Sequence, residues 1–365
     1  MLFSCLVDAD YLDTGEYYSS QARTPFRLTD ICGKLLESVT TECNSKDRDG
    51  LVNQIRRAVF AQCLEKAEMP KGCFSLTVPT GGGKTLSGMA LALAHAKQWR
   101  LQRVIVVIPY LSIIEQNAAE YRRILDPDKQ GIVVEHHSTV PLPEGHEQRE
   151  RSPLELAAEN WDAPVIVTAS VQFIESLFAS SPSKCRKLHN IAHSVVILDE
   201  VQTLPTHLLN PLLNVFRELK ENYGVSFLFM TATQPAFRHN AMSLPEGFKP
   251  GEVTEIAEEP TRIFTSLQRV DYQRAGVMGW KDLAQRMAAL SQVLCVVNVR
   301  KHAFTCGKRC AACSRSTSAS IFSTSHLPCA PSTVCGHWVR FETHAREASG
   351  IASSAACPAG WSPLN

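Results

Sequence analysis

Between residues 73 and 230 short apolar, β-branched runs alternate with longer stretches in which apolar residues recur at helical spacing. The runs at 73–78, 104–108, 165–168, 195–198 and 225–230 are too short for helices and are predicted to be buried strands. The stretches 86–97, 112–125, 171–179 and 208–220 are predicted to be helices. In the last of these, Leu208, Leu209, Leu212, Val215, Phe216 and Leu219 share one face, so that face belongs in a core. Strands that are apolar throughout, joined by helices, are what a parallel sheet covered on both faces requires. The predicted fold class is therefore α/β, of the nucleotide-binding kind.

The flanks have other textures. Residues 1–25 carry the acids Asp8, Asp10 and Asp13 and then a polar aromatic stretch, and 28–68 is predicted to be mainly helical. After Thr233 comes a loop-rich connection with Pro235, Pro245, Pro250 and Pro260, followed by a helix near 281–290 and a strand at 293–298. From 304 onward 11 of the 62 residues are Ser and six are Cys, against only six Ile, Leu or Val. No helical or strand period is evident there, and so few large aliphatic side chains cannot offset the entropy of ordering the segment. Four regions are expected: 1–25, 26–240, 241–303 and a disordered 304–365.

Charge narrows the function classes. The 365 residues hold 37 Lys and Arg against 36 Asp and Glu, a net charge of +1, which gives no whole-protein field and disfavours a polybasic binder of nucleic acid. The basic groups Arg56-Arg57, Arg122-Arg123 and 184–187 are expected to be solvated helix ends. No apolar run approaches the roughly 18 residues of a membrane span, and the first ten residues lack the basic start of a signal peptide, so a cytoplasmic protein without membrane contact is expected. Seven of the 13 cysteines are dispersed through residues 1–295, as reduced thiols packed in a core would be.

The strongest local motif is Thr80-Gly81-Gly82-Gly83-Lys84-Thr85, which follows a predicted strand and opens a predicted helix. Glycines let successive backbone N–H groups turn toward phosphate, and the helix N-terminus adds its positive end. Lys84 is then expected to reach the β- and γ-phosphates of ATP and the Thr85 hydroxyl to bind Mg²⁺. Val78 stands where the general G-x-x-x-x-G-K-T pattern has its first glycine. A second motif, 115 residues on from Lys84, is the strand 195–198 ending in Asp199-Glu200-Val201-Gln202. A carboxylate there faces the ligand crevice, with Asp199 placed to hold Mg²⁺ and Glu200 to polarise the attacking water. The third is Met230-Thr231-Ala232-Thr233, whose hydroxyls are expected to bond to those acids and to relay the nucleotide state.

Together the three motifs resemble a superfamily 2 helicase motor of the DEAD/DEAH type, which implies a RecA-like, P-loop NTPase sheet. The spelling Asp199-Glu200-Val201-Gln202, with the stretches 103–116 and 164–177, is similar to the CRISPR-associated helicase–nuclease of type I systems. The resemblance implies movement on single-stranded DNA exposed by an RNA-guided surveillance complex in antiviral defence. It also makes Gln54 a candidate adenine reader and Gln202 part of the catalytic acid motif.

Residues 5–14 resemble the end of that family's HD nuclease domain, with Asp10, or Asp8, at the last metal-binding acid. A single carboxylate cannot hold a two-metal site, so the segment is expected to be a remnant without metal. Residues 293–303 are similar to the first strand of the family's second RecA-like domain, and the resemblance stops near Ala303. The arginines that this second domain contributes to ATP hydrolysis are therefore not matched, and the chain alone is expected to bind ATP with little turnover. The alternative is a nucleotide-binding module or gene remnant without turnover. For the tail, a shifted reading frame is preferred to a zinc site built on Cys306, Cys310, Cys313, Cys329 and Cys335 with His326 and His337, whose spacing is irregular.

Overall fold

The computed structural model describes residues 1–18, 26–45, 49–137, 158–232, 237–242, 244–290, 292–297, 299, 301–302, 304–306, 317–322 and 337–343. The chain divides into two compact units, Met1–Val270 and Asp271–Asn365.

The first unit is a seven-stranded, wholly parallel sheet in the order β3-β4-β2-β5-β6-β1-β7. Its strands are β1 (Cys73–Thr77), β2 (Arg103–Ile108), β3 (Val133–His136), β4 (Val165–Ala169), β5 (Ser194–Leu198), β6 (Ser226–Thr231) and β7 (Val253–Glu255). Successive side chains of a strand point to opposite faces, and that alternation divides the core in two. Val104, Val106 and Ile108 of β2, with Val195 and Ile197 of β5, pack under α2 (Leu28–Ser45), α3 (Leu51–Lys66), α4 (Lys84–Trp99) and α5 (Leu111–Leu125). Ile105, Val107, Val196 and Leu198 pack on the other face with Trp161, Phe173 of α6 (Ser170–Leu177) and Phe216 of α8 (Leu209–Tyr223). Both faces being covered, the strands need no polar side, which is why they are continuous apolar runs in the sequence. The short α7 (Pro182–Cys185) lies between α6 and β5 in the chain, and α1 (Leu2–Tyr18) precedes them all.

Three elements of this unit were not foreseen. β3 has only four residues, and its start is fixed by Asp126, whose carboxylate accepts from the backbone N–H groups of Gln130, Gly131 and Ile132 at 2.7–3.1 Å. β7 is a three-residue edge strand held by a side chain: Glu255 accepts from the Ser75 and Thr77 hydroxyls, both at 2.7 Å, and from the Thr77 N–H at 3.0 Å. Pro260, expected to lie in a loop, opens α9 (Pro260–Ser266); proline lacks an N–H that the first turn does not use. With these elements the first compact unit runs to Val270.

In the second unit α10 (Trp280–Ala288) precedes β8 (Gln292–Val297), which pairs antiparallel with β10 (His337–Thr343), itself antiparallel to β9 (Thr317–Phe322). The expectation that nothing regular follows residue 304 is thus corrected at two stretches. The sequence of 337–343 does contain a short alternation, Val339-Arg340-Phe341-Glu342, that the low aliphatic count obscured. The remaining tail residues, and with them Cys310, Cys313, His326, Cys329 and Cys335 of the zinc reading, lie outside the described residues. Cys306 is buried beside Met287 and Cys295. Among the described residues no cluster of His, Cys, Asp and Glu suits a metal ion, and no helix is long and apolar enough to cross a membrane.

Candidate functional site

The site forms at the carboxyl edge of three neighbouring strands, β5, β6 and β1. Beyond β1 the chain turns through Gly81 and Gly83, whose φ angles of +86° and +88° lie in the left-handed region open to glycine. A Cβ on Gly82 would collide with the Val78 side chain, so Val78 makes this glycine obligatory while standing where the general pattern begins with glycine itself. Lys84 and Thr85 open α4, with the free N–H groups of its first turn at the same edge.

The buried Lys84 ammonium is hydrogen-bonded to Glu200 Oε1 and lies 3.5 Å from Asp199 Oδ1. Asp199 follows β5 and is tied to β2 by its N–H, which donates to the Val107 carbonyl at 2.9 Å. Burial pushes its carboxyl above the usual range, against the opposing pull of Lys84. Glu200 has φ 47° and ψ 49°, a left-handed conformation that costs a non-glycine residue about 1 kcal/mol and here directs its carboxylate at Lys84. Gln202 Nε2 donates to Glu200 Oε2 at 2.6 Å, and the Thr231 hydroxyl donates to Gln202 Oε1 at 2.8 Å. The Thr231 hydroxyl thus connects to Glu200 through Gln202, since β6 is the direct neighbour of β5. Thr233, the other hydroxyl expected at the acids, lies outside the described residues.

A cavity of about 380 Å³ adjoins the glycine loop, lined by Thr80, Gly81, Gly83, Lys84 and Thr85 and by Asn53, Arg56 and Phe60 of α3. Gln54 is exposed and does not line it. On a helix Asn53, Arg56 and Phe60 share a face, whereas Gln54 is turned about 100° away. Arg56 Nε donates to the Gly81 carbonyl at 2.8 Å and its Nη1 to Asn53 Oδ1 at 3.2 Å, so this arginine braces the loop instead of being a solvated helix end. The spacing of Asn53, Arg56 and Phe60 was the available signal, and its meaning depended on knowing which face met the loop.

The acids near the N-terminus separate. Asp10 is exposed. Asp8 is buried, bonded to Arg186 Nε at 2.9 Å and to Asn160 Nδ2 at 3.0 Å, while Arg186 Nη1 reaches Glu159 at 2.7 Å. Arg186 also lies 4.5 Å from the Tyr11 ring centre, and the Ser4 hydroxyl donates to the Cys185 carbonyl at 2.5 Å. Of the groups expected to be solvated, Arg186 and Lys187 are therefore buried.

Converging amide groups and an ammonium ion suit a polyphosphate, and the adjacent carboxylate pair suits its divalent cation. The family model of the DEAD/DEAH box helicases matches residues 53–241. The chain is 29% identical over 178 residues to the CRISPR-associated nuclease/helicase Cas3 of Haloferax volcanii, an alignment covering 44% of this chain and 19% of that protein. It is 28% identical over 208 residues to the reverse gyrase of Methanocaldococcus jannaschii, covering 53% of this chain and 11% of that one. The matched part thus spans a fifth or less of either relative. Among solved structures, the ADP complex of T. fusca Cas3 aligns with 55% of this chain and 22% of its own, at 20% identity and a TM-score of 0.40.

Proposed function

The chain belongs to the DEAD/DEAH box helicases, and from that premise we propose that it is the ATP-binding motor domain of a CRISPR-associated helicase that moves on single-stranded DNA in antiviral defence. The observation that carries the nucleotide reading is the meeting of Lys84, Asp199 and Glu200 beside the two left-handed glycines. The donor set fits a nucleoside triphosphate: its charge would exchange for the carboxylates on Lys84, and α4 presents unbonded N–H groups to it. In this reading Thr80, Gly81, Gly82, Gly83, Lys84 and Thr85 hold the phosphates, and Thr85 and Asp199 hold Mg²⁺. Glu200, released from Lys84, orients the attacking water. Gln202, already bonded to Glu200 on one side and to Thr231 on the other, passes the state of that carboxylate to β6. The single-stranded DNA and the RNA-guided complex rest on the similarity to Cas3, as does the assignment of residues 1–25 to the end of a nuclease domain.

Calorimetric titration with Mg·ATP tests the reading. Lys84→Ala should weaken binding about 100-fold, the loss of a charged hydrogen-bond donor to phosphate; equal affinities in the two proteins would overturn it. For the finer part, phosphate release that rises with single-stranded DNA and is lost in Glu200→Gln is expected of a protein carrying the complete motor.

A further inference from the structure

The proposed nucleotide site accounts for Lys84 and Arg56, both of which have partners in the protein. A third cation stands at the same loop with no partner among the described residues. The segment after α9 runs back across the glycine loop. Leu267 is buried there, its Cδ1 3.6 Å from where a Cβ on Gly82 would stand, and its N–H donates to the Ile263 carbonyl at 3.0 Å. Two residues on, the Arg269 guanidinium lies over Gly81: a Cβ built there would be 3.6 Å from Nη2 and 3.9 Å from Nη1. Among the described residues Arg269 has neither a hydrogen bond nor an ion pair, and it is exposed. An arginine with a mobile, hydrated alternative nearby gains little by lying on neutral backbone. A guanidinium held at a loop of inward-turned N–H groups is suited to bind a phosphate oxygen.

We propose that Arg269 is a phosphate-binding residue of this site, supplied by the strap 267–270 and directed at the outer phosphates of a nucleoside triphosphate. Gly81 precedes Lys84 by three residues in the loop, and Lys84 is the group expected at the β- and γ-phosphates. A cation over Gly81 thus stands beside the loop residue that Arg56 of α3 holds by its carbonyl, at the end of the loop preceding Lys84. The strap is itself fixed to the sheet edge, through Ile263 packed on the core and through Glu255 of β7. The short strand β7 and helix α9, which no repeat in the sequence announced, then have a use: they carry a charge to the loop.

This inference rests on the nucleotide-binding reading, and the experiment separates the two. ATP, ADP and AMP would be titrated calorimetrically into the wild type, Arg269→Ala, Arg269→Lys and Lys84→Ala, and the unfolding temperature of each nucleotide-free protein recorded. Arg269→Ala should weaken ATP about tenfold, ADP less and AMP not at all, with an unchanged unfolding temperature; Arg269→Lys should recover part of the ATP affinity. Equal ATP affinity in Arg269→Ala and wild type would overturn the proposal while leaving the site assignment intact. So would an equal loss for all three nucleotides, which would mark Arg269 as a brace for the loop. If the wild type binds ATP no better than Lys84→Ala, both readings fall.

Discussion

Two charge networks, each of one cation with an Asp and a Glu, differ in how completely they are bonded. In the first, Asp8 accepts from Arg186 and Asn160 while Arg186 also holds Glu159, so every charge is met by a directed hydrogen bond. In the second, the one ammonium of Lys84 is shared between Glu200 and Asp199, and Asp199, which otherwise accepts from the Glu200 N–H at 3.0 Å, has its carboxyl raised by burial. Their acids are of the same types, but the cation is an arginine with five donors in one and a lysine in the other. The saturated network joins segments about 180 residues apart in the chain and has no capacity for a ligand, whereas the undersaturated one can exchange an internal carboxylate for an external phosphate.

The largest effect should come from breaking the saturated network. Arg186→Ala strands Asp8 in the interior and should cost about 3–5 kcal/mol, measured by urea unfolding, whereas Lys84→Ala, whose partner Glu200 is partly exposed and keeps Gln202, should cost less. A reversed order would show that the difference between the networks is not one of bonding. A smaller effect of opposite sign is expected at Asp199. Its raised folded value means that the native state favours the neutral acid, so stability is lost as pH rises through that value. Asp199→Asn should therefore raise the unfolding temperature at pH 7 while impairing Mg·ATP binding, and the gain should vanish at low pH. Asp8→Asn should lower the unfolding temperature under the same conditions.

An effect spread over the acid limb concerns the neighbour of Arg186. Lys187 is buried 5.9 Å from the Trp161 ring centre. Burial first, then the Lys187 charge, push His136 from 6.5 down to about 3. Between those values the unfolded chain binds a proton that the native state does not, so stability falls with acidification by up to about 1.4 kcal/mol per pH unit. His136→Phe should flatten that limb in unfolding titrations from pH 6.5 to pH 4, although His95 and His189, also lowered by burial, will keep part of the slope. An unchanged slope would remove His136 from the account.

What could be read along the chain was whatever depends on local order. The five central strands declare themselves because burial on both faces makes each a continuous apolar run. The phosphate loop declares itself because glycines at 81 and 83 meet a conformational demand at fixed spacing from Lys84. The acids of the second motif follow from their place at the end of β5. Other features depend on which distant residue arrives, and no local pattern records that. β7 exists because Glu255 finds Ser75 and Thr77 across the sheet edge. Gln202 bridges to Thr231 because β6 pairs directly beside β5. Arg186 is buried because α1 brings Asp8 to it, though its sequence neighbourhood is that of a solvated basic run. Asn53, one position before the expected Gln54, meets the loop because the rotation of α3 is set by the packing of Val59 and Cys63 into the core. Sequence fixes what each segment needs buried or turned, while the partner that satisfies a charge or an edge is selected by the tertiary fold, since those contacts join residues far apart in the chain.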